Sequence, residues 1–203
     1  MHPTPAVMCT AFAGTQRLAG GPVRDVARAV KIHLDAHPES QVLVFDNTSA
    51  QPVELDLRGT VEDVLARLDQ AAPAAEPGES ESRPRGPGRP RLGVIAREVT
   101  LLPRHWDWLA AQPGGASVTL RKLVEDARRA TEGVDRRRIA QEAAYRFMSA
   151  MAGNAPGFEE ATRALFALDA GAFQSLTQPW PADVRDFARQ LAQAAWASHE
   201  EAA

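Results

Sequence analysis

Cysteine is nearly absent: Cys9 is the single one among 203 residues. That excludes an intrachain disulfide framework and a multi-cysteine metal centre, and it fits a reducing compartment. Lysine is scarce too, since only Lys31 and Lys122 accompany the arginines. No apolar run approaches the ~20 residues needed to cross a bilayer. The opening "MHPTPAVMCTAFAG" lacks the basic-then-apolar pattern of a secretory signal. Neither a phosphate-cradling glycine loop nor a nucleophile elbow is found. The expectation is a soluble cytoplasmic protein that is not an enzyme and uses no cofactor, metal or membrane.

What is present is a strong charge asymmetry. The formal net charge is −3, yet residues 1–82 carry −6, residues 83–138 carry +7 and residues 139–203 carry −4. A positive middle between negative ends either attracts a polyanion or docks on its own flanks.

Hydrophobic patterning predicts an α+β protein. Val7 to Leu18 reads as a strand or hairpin, broken by "GGP", with Pro22 at the first position of a helix. Val23, Val26, Ala27, Val30 and Leu34 mark that helix's apolar face. "QVLVFDN" and "PVELDLRG" read as two strands, and Thr60 with Asp63 caps a second helix. Residues 1–72 thus form a small βαββα-like unit. Residues 73–93, rich in Pro, Gly, Ser and Glu, read as a flexible basic linker. Residues 94–133 read as strand (Val94–Leu102), short helix from Pro103 and a second helix capped by Ser117 and ended by Gly133. At least one of Trp106 and Trp108 is expected in a core. Residues 134–203 are expected to be helical, with stripes led by Ala140, Phe147, Phe158, Leu165, Val184 and Phe187.

A strand, helix, helix unit of under forty residues offers one thin apolar layer, and dimerisation is a known solution. The pieces "VTLLP", "WDWLAAQPGGAS" and "SVTLRKLVEDA" resemble the ribbon-helix-helix family of DNA-binding proteins. The resemblance implies a homodimer whose paired strands enter the major groove. It places Glu98 and Thr100 at base edges with Arg97 or Arg104 beside them. It also places a phosphate at the start of the second helix, around Ser117, where N–H groups and the helix dipole point outward. Arg121 and Lys122 on that helix complete the expected set. Over its whole length the chain is also similar to a bacterial family catalogued only as a domain of unknown function, through "GRPRLGVIAREVTLLPRHWDWLAAQPGGASVTLRKLVEDAR".

Upstream, Gly88-Arg89-Pro90-Arg91 resembles the core of an AT-hook, with Arg83 and Arg85 before it. Glycine and proline keep such a backbone narrow and extended, so Arg85, Arg89 and Arg91 could lie along an A·T minor groove. His33 and His37, one helical turn apart, lack a third metal ligand and read as a surface pair. Cys9 reads as a small buried side chain. The expectation is a dimeric DNA-binding protein, a transcriptional regulator contacting double-stranded DNA, with any small-molecule effector unknown. The alternative is a protein-interaction module whose basic middle binds acidic partners or its own acidic ends.

Overall fold

The computed structural model describes residues 7–71 and 97–200, and it is α+β. The elements are β1 (Met8–Ala13), β2 (Gln16–Pro22), α1 (Val23–Ala36), β3 (Val42–Asp46), α2 (Val61–Ala71), α3 (Pro103–Ala110), α4 (Gly115–Ala152), α5 (Phe158–Phe166), α6 (Ala170–Thr177) and α7 (Ala182–Glu200). Two compact units result: residues 1–72 together with 133–203, and residues 73–132.

The first unit is built on a three-stranded antiparallel sheet of order β2-β1-β3. Gly14, at φ 57°, makes the tight turn that starts the hairpin. The strand β2 does not stop at "GGP" as expected: Gly20, Gly21 and Pro22 pair with Thr10, Cys9 and Met8. An edge strand tolerates this, because proline's missing donor can face away from the ladder. Pro22 therefore caps α1 rather than opening it.

β1 is the central strand and is covered on both faces, which explains its run of buried residues from Cys9 to Phe12. Cys9, Ala11 and Val44 pack with Val26 and Val30 of α1. Phe12 and Phe45 point into a second cluster with Phe147 of α4 and Phe187 of α7. The ring centroids of Phe147 lie 5.3, 5.2 and 4.7 Å from those of Phe12, Phe45 and Phe187. N-terminal sheet and C-terminal helices thus share one core, closed further by Trp180, whose indole N–H donates to the Pro156 carbonyl at 2.9 Å.

Past β3, the expected strand "PVELDLRG" is not one. Only a single bridge forms, Phe45 with Pro52; the Val53 N–H still donates to the Val44 carbonyl at 2.8 Å, but residues 53–58 form no strand. Val53, Leu55 and Leu57 still turn inward in alternation onto the α1 side of the sheet. Proline removes a donor from the edge, and the Arg67 guanidinium of α2 takes over the carbonyls of Asp56 and Arg58. The cap of α2 is as expected: the Thr60 N–H donates to Asp63 at 2.9 Å and the Asp63 N–H to Thr60 Oγ1 at 3.2 Å.

Three further expectations are corrected. Gly133 does not end a helix; α4 continues through it for 38 residues in all. One interior glycine costs only about 1 kcal/mol, and ion pairs of Glu125 with Arg128 and of Arg138 with Asp135 and Glu142 brace the helix on either side. Ser117 sits inside the first turn of α4, which starts two residues earlier at Gly115, so it is not the cap. The helix α6, capped by Asp169 accepting from the Ala172 N–H at 2.8 Å, was not anticipated.

Candidate nucleic-acid interface

The described part of the second unit runs from Arg97 to Glu132. Residues 97–102 form no strand, contrary to the reading of Val94–Leu102. A strand needs a neighbour to receive its donors and acceptors, and none lies alongside among the described residues. Leu102 is nonetheless extended, at φ −66° and ψ 148°, as a residue before proline must be. Pro103 occupies the first turn of α3, where its missing N–H leaves nothing unpaired. Gly114, at φ 88°, then makes the reversal into α4. A Cβ there would sit 3.1 Å from Val118, so conformation and space both demand glycine.

This helix pair buries very little. Leu109 is buried, but Trp106 and Trp108 are both exposed, Trp108 by 51%. The expectation that one tryptophan is core is therefore corrected: among the described residues α3 and the first turns of α4 have no second layer to receive it. Leu123 and Val124 are exposed as well, Val124 by 65%. Among the described residues nothing covers this apolar face.

Its charges divide into two sets. Arg128 and Arg129 are tied to Glu125, at 2.9 and 3.4 Å. The Arg128 guanidinium beside Glu125 holds that carboxyl below its ordinary range. Arg97, Arg104 and Lys122 are exposed and have no ion pair among the described residues. Arg121 donates from Nε to the Ser117 carbonyl at 3.0 Å, leaving the guanidinium's charge uncompensated. Arg121 and Lys122 line an open groove of about 630 Å³ with Val118, Leu120, Val124 and the carboxylate of Glu125. Arg97, Glu98 and Thr100 lie on the extended segment before α3, all exposed, and Arg104 on its first turn. Ser117 is exposed on α4. Arg85, Arg89 and Arg91 lie outside the described residues.

Other sequence candidates are accounted for in the first unit. His33 and His37 stack at 4.7 Å, with His33 Nε2 bonded to Ser40 Oγ at 2.9 Å and His37 Nδ1 donating to the His33 carbonyl at 3.1 Å. Among the described residues no group of three or more His, Cys, Asp or Glu side chains is placed to hold a metal ion. Burial pushes the Cys9 thiol up, and the nearby Asp46 carboxylate adds to it, away from the thiolate that chemistry would need. Asp46 itself stays below its ordinary value: burial raises it, but the Ser49 and Thr48 donors outweigh that. No helix of the described residues is long and apolar enough to cross a membrane.

Residues 8–192 match the family described as "uncharacterized protein conserved in bacteria", DUF2239. The chain belongs to that family. The match takes in the sheet, the exposed helix pair and most of α7, so the DUF2239 unit is both of the compact units together and not either alone. No curated protein and no solved structure matches the chain.

Proposed function

We propose that this DUF2239 protein is a dimeric, non-catalytic DNA-binding protein of the bacterial cytoplasm, acting as a transcriptional regulator through its second unit. The observation that carries the reading is a combination. Among the described residues Arg97, Arg104 and Lys122 are exposed without carboxylate partners, on the same unit whose apolar helix face has no described cover. A second copy would cover the apolar face, and the cations would meet phosphates, with Arg85, Arg89 and Arg91 as a basic arm upstream. Glu98 and Thr100 would then be the base-edge candidates, and Ser117, Arg121 and Lys122 backbone anchors.

The test is a salt titration of binding to a random-sequence duplex, read by fluorescence anisotropy. Log affinity falls with log salt by about 0.9 per phosphate neutralised. Replacing Arg89 and Arg91 by Ala lowers that slope and weakens all sequences alike. Replacing Thr100 by Ala changes the preference at one base pair, by on the order of 1–3 kcal/mol. Absence of binding at low salt, or binding indifferent to salt, refutes the reading.

One observation favours a second reading, a module for an acidic protein partner. Residues 97–132 carry nearly balanced charge, six basic side chains against five acidic, and present two exposed tryptophans. Aromatic anchors with modest charge are typical of protein interfaces. Binding to polyglutamate without binding to duplex DNA would select it.

A further inference from the structure

In the first unit, α6 and α7 flank an open cleft of about 620 Å³, within the usual range for small-molecule sites. One end holds Arg189 and the other Trp196, two turns further along the same face of α7 and roughly 10 Å away by helical rise. Phe173, fully buried, packs edge-on against the Trp196 indole, ring centroids 5.8 Å apart, and the part-exposed indole is the apolar surface at that end.

Arg189 is held from behind. Its Nε donates to Thr177 Oγ1 at 2.9 Å, and its Nη2 to Gln178 Oε1 at 3.1 Å and to the Gln174 carbonyl. Thr177 is fully buried and spends its own proton on the Phe173 carbonyl at 2.8 Å, so its hydroxyl is fixed as an acceptor. All these partners are neutral. The one carboxylate lining the cleft, Asp186, is engaged by Arg185 at 2.7 Å. Among the described residues Nη1 of Arg189 has no hydrogen-bond partner. Burial pulls this guanidinium below its ordinary value, with Arg185 adding to it and the Asp186 carboxylate opposing both. A half-buried guanidinium fixed through Nε and Nη2, with its Nη1 end alone unpaired, can donate from that end to a carboxylate in a cleft that also holds an indole.

We propose that this cleft binds a small aryl carboxylate, its carboxylate on Arg189 and its ring against Trp196. The exposed amides of Gln174, Gln190 and Gln193 along the rim leave room for polar ring substituents. The site is independent of the second unit, so it stands or falls separately from DNA binding.

The experiment is titration of the full chain with 3-phenylpropionate and with its neutral isostere 3-phenylpropanamide, followed by 1H–15N spectra and calorimetry. The expected result is saturable binding of the carboxylate, shifts confined to α6 and α7, and roughly tenfold weaker binding of the amide. Because Arg189 also secures the end of α6, Arg189→Gln risks the fold. Gln193→Glu and Gln193→Lys therefore serve as charge tests on an exposed position. The first should weaken carboxylate binding several-fold and the second strengthen it, with the amide unmoved by either. No saturation with 3-phenylpropionate, equal affinity for acid and amide, or shifts centred elsewhere would each overturn the proposal.

Discussion

Replacing Phe12 by Ala tests whether the first unit is one cooperative body. Phe12 is fully buried on β1, yet two of its aromatic neighbours come from the far end of the chain: Phe147 at 5.3 Å and Phe187 at 5.6 Å. Removing such a ring forfeits its transfer free energy and leaves a cavity that the paired strand cannot close, a loss of about 3–5 kcal/mol. That is a large share of the 5–15 kcal/mol typical of a whole domain. With a urea slope of about 2 kcal/mol per molar, the midpoint should fall by roughly 2 M. The assay is urea unfolding followed in parallel by far-UV dichroism, dominated by the helices, and by tryptophan fluorescence. Both signals should move together, although the mutated residue lies on a strand. Combined with Phe187→Ala, the two losses should be non-additive by more than about 0.5 kcal/mol, because the rings share partners. A biphasic curve in which the helical signal keeps its midpoint, or strict additivity, would refute the shared core.

Gly133→Ala should stabilise the protein by about 0.5–1 kcal/mol, since the glycine lies inside α4 and a Cβ there meets nothing within 4 Å; a loss of stability in thermal melts would restore the helix break. Thr60→Ala should cost about 1 kcal/mol by removing the reciprocal cap of α2, measured by chemical denaturation. The folded Asp46 carboxyl lies below its ordinary value, so its contribution is complete above the unfolded value near 4 and is lost as pH falls through the folded one. Asp46→Asn should accordingly flatten the decline in melting temperature between about pH 5 and 3, and an unchanged profile would contradict the turn geometry. Leu123→Asp, on the uncovered face of α4, should leave the melt of the first unit intact and convert any dimer to monomer in sedimentation.

Local features were readable wherever a few neighbouring residues decide the outcome. The Thr60–Asp63 cap, the α1 stripe and the run from Ala140 to Met148 all follow from spacing alone. Reading failed where a distant group intervenes. The inward alternation of Val53, Leu55 and Leu57 is a genuine burial signal, but whether it becomes a strand was decided by Pro52 and by Arg67, a side chain on another element. Gly133 is a terminator by residue type alone, and the ion pairs of Arg138 with Asp135 and Glu142 carry the helix past it. Stripes declare which face is buried and not against what, so the union of Phe12 and Phe45 with Phe147 and Phe187 was hidden. On the second unit, the exposure of Arg97, Arg104 and Lys122 is legible in the sequence. The exposure of Trp106 and Trp108 is not, since an amphipathic pattern is the same whether its core belongs to one chain or two. The Arg189 cleft escaped because glutamines on a helix face read as mere solubility.

The shared core has a consequence for biosynthesis. The ribosome delivers Phe12 and Phe45 early, but Phe187 emerges roughly 140 residues after Phe45, a wait on the order of ten seconds at bacterial translation speeds. Until Phe147 of α4 and then Phe187 follow, one face of the nascent hairpin and its neighbouring strand lacks its full lid, with two phenylalanines presented to whatever is nearby. The second unit is synthesised within the same interval, carrying its own unshielded tryptophans. Products that stall before α7 should therefore aggregate more readily than chains that include it.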